Sequence, residues 1–125
     1  MFNKRSILLV DDDDRNIIAT SALLKAYGAS VVLARDGMEC LENLKQNQTI
    51  ELVLLDMMMP VMDGYETLKK IRSDRVMKNL PVMALTARAM VGDRKKCLDA
   101  GANDYCSKPI DVELFLSQIR KLLKV

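Results

Sequence analysis

The most informative absence in this sequence is histidine. None of the 125 residues is a histidine, which excludes imidazole-based zinc sites, Ser/His/Asp and Cys/His nucleophile systems, and a phosphorylated histidine within this chain. Tryptophan is also absent, and aromatic residues make up only 4% of the chain. Any histidine chemistry in which this protein takes part must therefore come from a partner.

Cysteine, charge imbalance and long apolar runs are also scarce. Cys40, Cys97 and Cys106 are far apart and form no Cys-x-x-Cys pair, which favours buried, reduced thiols and a cytoplasmic location over a disulfide framework. A net charge of +2, from 19 basic and 17 acidic residues, gives no reason to expect a nucleic-acid or membrane surface. No apolar run reaches the length of a signal peptide core or a membrane span, so we expect neither.

Short apolar runs alternate with helical patterns along the whole chain. Five strands are predicted, near residues 7–10, 31–34, 52–55, 82–85 and, more weakly, 102–106. Apolar positions three and four apart predict five helices, near residues 14–27, 37–46, 64–74, 90–100 and 111–123. This alternation is typical of an α/β fold with a parallel sheet covered on both faces. We therefore predict a single domain spanning residues 1–125.

Capping residues mark the predicted helix boundaries. Asp36 and Asp63 each precede a glutamate by three positions, which is the form of a capping box, and Asp111 can cap the last helix. Gly28 and Gly101 each follow a helical stretch, where a left-handed backbone conformation commonly ends the helix. The boundary residues thus support the division into helices and strands.

Reactive polar residues directly follow several of the predicted strands. Asp11 and Asp12 follow the first strand, Asp56 follows the third and Thr86 the fourth, while Lys108 comes just after the last. In an open parallel sheet, ligands bind beyond the carboxyl ends of the strands. We therefore expect these five side chains to converge on one site.

Three carboxylates and one ammonium group in one pocket predict phosphate chemistry with a divalent cation. Two carboxylates about 4 Å apart repel by roughly 4 kcal/mol at an effective dielectric constant near 20, so folding alone disfavours the cluster. A hard cation such as Mg²⁺ removes this repulsion and leaves positions for phosphate oxygens. Lys108 can then place its charge on the same phosphate, and Thr86 can donate a hydrogen bond to it. Asp56 is the candidate nucleophile, which would form an acyl phosphate.

The order of the motifs closely resembles the receiver domain of response regulators in two-component signalling, over essentially the full length. The motifs are Val10-Asp11-Asp12, Asp56 followed by the sequence MPVMDG at residues 59–64, Leu85-Thr86-Ala87, and Lys108-Pro109. The resemblance implies a flavodoxin-like (βα)5 three-layer sandwich with a five-stranded parallel sheet in the order 2-1-3-4-5. It also implies a cis peptide bond between Lys108 and Pro109.

The resemblance gives each residue of the site a role. It makes Asp56 the phosphoacceptor, with Lys108 and Thr86 assisting the transfer. The implied cofactor is Mg²⁺, held by Asp11, Asp12, Asp56 and the backbone carbonyl of Met58. Because that last ligand is a backbone carbonyl, a methionine side chain at this position leaves the metal site intact.

The same resemblance identifies switch and rate-tuning positions. Thr86 and Tyr105 match the family's switch pair, in which the hydroxyl closes on the phosphate and the aromatic ring moves inward. Met58 and Arg88 flank the site at positions that tune the phosphoryl lifetime, and both carry bulky side chains. Asn16, five residues after Asp11, is a weaker sign that the chain is similar to receivers attached to hybrid histidine kinases.

The implied partners follow from the family's chemistry. The phosphoryl group would arrive on a histidine of a sensor histidine kinase or a histidine phosphotransfer protein, and the switched surface would act on an unidentified output partner. A receiver catalyses its own phosphorylation and slow dephosphorylation without multiple turnover. Any kinase activity would therefore belong to a parent hybrid kinase.

Three other interpretations use the same residues. A phosphohydrolase of the haloacid-dehalogenase type would use Asp11-x-Asp13, but Arg15 and Asn16 differ from the residues that follow that motif. A calcium-binding EF-hand loop counted from Asp11 would place Asn16 at the required glycine and Ala22 at the required glutamate. The third alternative is an interaction module that keeps the receiver fold without being phosphorylated.

Overall fold

The computed structural model describes residues 1–60, 62–87 and 91–125, and these residues form one sheet between two layers of helices. The strands are β1 (Ser6–Val10), β2 (Ser30–Ala34), β3 (Leu52–Asp56), β4 (Val82–Thr86) and β5 (Asp104–Ser107). The helices are α1 (Asp14–Ala26), α2 (Gly37–Gln46), α3 (Gly64–Ser73), α4 (Asp93–Asp99) and α5 (Val112–Leu123). The strands are parallel in the order β2-β1-β3-β4-β5. The flavodoxin-like prediction is therefore confirmed.

Consecutive residues of the central strands pack on opposite faces of the sheet, as the strand repeat of two requires. Leu8 and Val10 belong to a core shared with α2, α3 and α4, whereas Ile7 and Leu9 pack with α1 and α5. All five residues of β3 and of β4 are buried. This double covering explains why these strands appear in the sequence as continuous apolar runs.

The predicted caps are confirmed. The carboxylates of Asp36, Asp63 and Asp111 each accept a hydrogen bond from the backbone amide three residues later. Gly28 and Gly101 have φ angles of 91° and 113°, in the region where glycine avoids the strain that a side chain would bring.

The last strand begins later than predicted. β5 starts at Asp104 rather than at residue 102, because the amide of Ala102 still bonds to the carbonyl of Cys97 at the end of α4. Helix α4 spans Asp93–Asp99, within the predicted range of 90–100, and Gly92 caps it with a φ of 92°. Within the described residues, no helix is long and apolar enough to cross a bilayer.

Candidate functional site

The carboxyl ends of the strands bring the predicted site residues together. Oxygen atoms of Asp11, Asp12 and Asp56, one from each carboxylate, lie within 4.8 Å of one another. The Lys108 Nζ lies 2.8 Å from Oδ2 of Asp11 and 3.7 Å from Oδ2 of Asp56. Thr86, the last residue of β4, is buried beside β3 and β5. The predicted convergence is therefore observed for the three carboxylates and Lys108, whereas the place of the Thr86 hydroxyl in the site stays a prediction.

Backbone hydrogen bonds fix the two buried carboxylates. The amide of Asp11 donates to the carbonyl of Ala34 at 3.0 Å, which holds the end of β1 against β2. Oδ1 of Asp11 accepts a hydrogen bond from the amide of Asp13 at 2.9 Å. Oδ1 of Asp56 accepts one from the amide of Met58 at 3.0 Å. In both residues the second oxygen, Oδ2, therefore faces Lys108.

Lys108 reaches the carboxylates because of how β5 ends. The backbone amide of Lys108 donates to the carbonyl of Thr86 at 2.7 Å, which holds the backbone of Lys108 beside the end of β4. The peptide bond between Lys108 and Pro109 is cis, as predicted. The side chain of Lys108 is only 14% exposed, so solvent screens its charge weakly.

The electrostatics of the site oppose charge on Asp56. Burial raises the pKa of Asp56 to about 6, although the hydrogen bond from Met58 and the charge of Lys108 act in the opposite direction. The neighbouring carboxylate of Asp11 raises the pKa of Asp56 further. A group that binds here and carries positive charge would therefore stabilise the ionised carboxylate.

The donor set fits a hard divalent cation. Three carboxylates and one ammonium leave a net negative charge, and Asp11 and Asp56 are both buried whereas Asp12 is exposed. Carboxylate oxygens with room for water are the ligands that Mg²⁺ prefers. The residues that would hold the ion are Asp11, Asp12 and Asp56. Coordination by the backbone carbonyl of Met58 stays a prediction.

Gly64 supports the site in a way that we did not predict. A Cβ atom on Gly64 would lie 2.5 Å from Cα of Met57 and 2.8 Å from the carbonyl oxygen of Asp56. The amide of Gly64 donates to the carbonyl of Met57 at 3.3 Å. The first turn of α3 can therefore pack directly on the backbone of the candidate phosphoacceptor only because residue 64 has no side chain. The cap position of Asp63 located this helix start but gave no sign of the close contact.

The predicted switch and rate-tuning residues lie at different depths. The ring of Tyr105 is partly buried against the core, and burial raises the pKa of its hydroxyl. Its backbone carbonyl accepts a hydrogen bond from Nε2 of Gln118 at 2.8 Å. Met58 is 52% exposed, and its backbone amide donates to the carboxylate of Asp56. Arg88 lies outside the described residues.

The family model for the response regulator receiver domain matches residues 7–120, and the chain belongs to this family. It is 38% identical over 121 residues to hybrid signal transduction histidine kinase M of Dictyostelium discoideum, covering 94% of this chain and 5% of that protein. It is 42% identical over 118 residues to the response regulator MprA of a Mycobacterium species, covering 94% of this chain and 50% of that protein. The chain thus spans half or less of these two relatives.

Solved structures agree with the family and the fold. The chain is 33% identical to the receiver domain of sensor histidine kinase PA1611 from Pseudomonas aeruginosa, with a TM-score of 0.88, and the match covers 97% of this chain and 98% of the other. That structure contains a magnesium ion coordinated in its active-site cleft. The magnesium site of that receiver domain is therefore a comparison for the carboxylate cluster described above.

Proposed function

We propose that this chain is a phosphoacceptor that takes a phosphoryl group onto Asp56 in a Mg²⁺-dependent reaction. The observation that carries the proposal is the position of Lys108, whose Nζ lies beside both Asp11 and Asp56 at the edge of the carboxylate cluster. A structural ion pair with Lys108 would need only one carboxylate, whereas this site holds three. Family membership and the magnesium-containing relative support the same conclusion.

Membership of the receiver family implies that the donor is a phosphorylated histidine of a sensor kinase or a phosphotransfer protein. That histidine belongs to the partner, because this chain has none. An oxygen of the Asp56 carboxylate forms the new O–P bond, while the N–P bond to the donor breaks. The bonding electrons stay on the imidazole nitrogen, which takes up a proton. A bound Mg²⁺ ion supplies charge neutralisation for the phosphoryl oxygens and orients them.

The residues of the chain then hold the product. Lys108 pairs with the phosphoryl oxygens as it now pairs with Asp11, and the Thr86 hydroxyl donates to one of them. The acyl phosphate carries about −1.5 to −2 charges where the ionised carboxylate carried one, and this added negative charge shifts the equilibrium between two packings of Tyr105. The surface that changes is formed by α4, β5 and α5. The buried thiols favour a reducing compartment, so we place this reaction in the cytoplasm.

The test is incubation with Mg²⁺ and a small acyl phosphate, followed by intact mass and by assay of released phosphate. We expect the wild-type chain to gain one phosphoryl group. No gain should occur when a chelator is added before the donor, or in Asp56→Asn. Asp99→Asn is the matched control, since Asp99 is an exposed partner of Lys95.

Each alternative gives a different result in the same assay. Continuous release of phosphate from the donor would favour the hydrolase that uses Asp11 and Asp13. A protein that stays unlabelled with Mg²⁺ present would favour the interaction module. Labelling that persists in Asp56→Asn would place the acceptor elsewhere and overturn the proposal.

A further inference from the structure

The two edges of the sheet differ in how their backbone groups are used. On β2, the amide of Ser30 and the carbonyl of Ala34 both bond toward the β1 side. Backbone groups of alternate strand residues face the same side, so the N–H and C=O groups of Val32 also face β1. Those of Val31 and Leu33 face the opposite side of β2, away from β1. The N–H and C=O groups of Val31 and Leu33 therefore form the outer edge.

Nothing in the described part of the chain occupies that outer edge. The outward N–H and C=O groups of Val31 and Leu33 have no hydrogen-bond partner among residues 1–60, 62–87 and 91–125. Leu33 is 43% exposed, and the strand Ser30–Ala34 contains no charge, proline or glycine. An uncharged apolar edge strand with free backbone groups is a template for pairing with another strand.

The opposite edge, on β5, is closed by side chains at Tyr105. The amide of Lys108 bonds to β4, so by the same alternation the backbone groups of Tyr105 point outward. The amide of Tyr105 donates to Oδ1 of Asp104 and its carbonyl accepts from Nε2 of Gln118, both at 2.8 Å. Strand addition at Tyr105 would have to break both bonds, whereas pairing at Val31 and Leu33 breaks none within the described residues.

We propose that the β2 edge pairs antiparallel with the β2 edge of a second copy of this chain, about a two-fold axis at Val32. This register places Val31 opposite Leu33 of the second copy and Leu33 opposite its Val31. Because both residues point outward, each facing pair exchanges both of its hydrogen bonds. The two sheets would join into one continuous sheet with a closed symmetry.

The side chains of this edge match one another in the same register. Val31 meets Leu33 on one face and Val32 meets Val32 on the other, and such apolar cross-strand pairs stabilise a sheet. The carboxylate of Asp14 pairs with Arg35 at the end of β2, so this side of α1 lies along the edge. Ile18, one helical turn further, is 70% exposed. This self-matching apolar edge is the reason for choosing a second copy over an unrelated peptide.

The expected association is weak and reversible. Two five-residue strands with flanking side chains bury less than the roughly 1,600 Å² of a standard interface. We expect a dissociation constant on the order of 0.1 mM for this contact. In a longer protein that is already dimeric, the tethered copies would meet at a higher effective concentration.

Sedimentation velocity from about 10 µM to about 1 mM spans this range. We expect the mean sedimentation coefficient of the wild-type chain to rise toward that of a dimer. Leu33→Lys should stay monomeric, because a charge at the edge opposes pairing without disturbing the buried face. Val76→Lys is the matched control, since Val76 is 71% exposed and lies between α3 and β4. Its dimerisation should equal that of the wild type.

The amide resonances locate the contact. With rising concentration, the amides of Val31 and Leu33 should shift and become protected from solvent exchange, while the amide of Tyr105 stays unchanged. A chain that remains monomeric at about 1 mM would overturn the proposal. So would a dimer that persists in Leu33→Lys, or one whose shifts fall on β5.

Discussion

At the scale of single residues, Lys108 has the clearest assigned task. Its Nζ lies 2.8 Å from Asp11 and 3.7 Å from Asp56, where negative charge would gather during the proposed transfer. We expect Lys108→Gln to be labelled about 10²-fold to 10³-fold more slowly, the usual effect of removing one charge-stabilising group. The measurement is the initial rate of phosphoryl gain by intact mass at fixed Mg²⁺ and donor concentrations.

The matched control for this rate is Lys95→Gln. Lys95 is also paired with a carboxylate, that of Asp99, but the pair is exposed on α4. Its labelling rate should equal that of the wild type. Equal rates in Lys108→Gln and the wild type would show that Lys108 only balances charge in the resting protein.

Single residues also show where the sequence stops being informative. Asp56 and Lys108 could be predicted because each lies at the carboxyl end of a strand that the alternating pattern identifies. In a parallel sheet these ends lie at the same edge, where ligands bind. The contact of Gly64 with the backbone of Met57 could not be predicted, because it depends on the distance between a helix start and a strand end. Backbone approach of this kind leaves no periodic signal in the chain.

At the scale of elements, Arg72 joins three segments at the end of the sheet opposite the site. Its guanidinium donates to the carbonyls of Lys78, Leu80 and Gly101 and to Oδ1 of Asn103, at 2.7 to 3.0 Å. We expect Arg72→Leu to lower the free energy of unfolding by about 2 to 4 kcal/mol, since several acceptors lose a charged donor. Urea denaturation followed by circular dichroism measures this loss.

A lysine at this position provides the control. Arg72→Lys keeps the charge but has no planar fork, so it can reach fewer of the acceptors and should lose an intermediate amount. Arg75→Leu, in the adjacent exposed turn, should change the free energy of unfolding by less than about 0.5 kcal/mol. Equal stabilities of Arg72→Leu and Arg75→Leu would show that the network contributes little.

The same network explains the boundary that the sequence misplaced. Oδ1 of Asn103 accepts from Val82 as well as from Arg72, so the residues just before β5 serve a turn rather than the strand. The pattern of apolar residues near 102–106 carries no information about these long-range bonds. The interiors of elements were predicted well because their periodicity is local, whereas this boundary depends on tertiary contacts.

At the scale of the whole molecule, the three thiols report on cooperative unfolding. Cys40, Cys97 and Cys106 are all buried, and burial raises the pKa of Cys40 from 9.0 to about 12. At pH 8 the thiolate of Cys40 is therefore about a thousandfold scarcer in the folded chain than in the unfolded one. We expect a disulfide-exchange reagent to modify all three thiols in urea, and to modify Cys40 on the order of a thousandfold more slowly in native buffer.

The raised pKa of Cys40 also makes the stability of the fold depend on pH. Because the pKa of Cys40 is higher in the folded chain, its contribution is complete below pH 9.0 and is lost as the pH rises from 9.0 to about 12. Above pH 9.0 the unfolded chain releases this proton first, so the midpoint of urea denaturation should fall. Cys40→Ala should show a smaller fall over the same interval, although the cavity lowers its stability at every pH. A wild-type midpoint that falls no more steeply than that of Cys40→Ala would mean that the thiol ionises equally in both states.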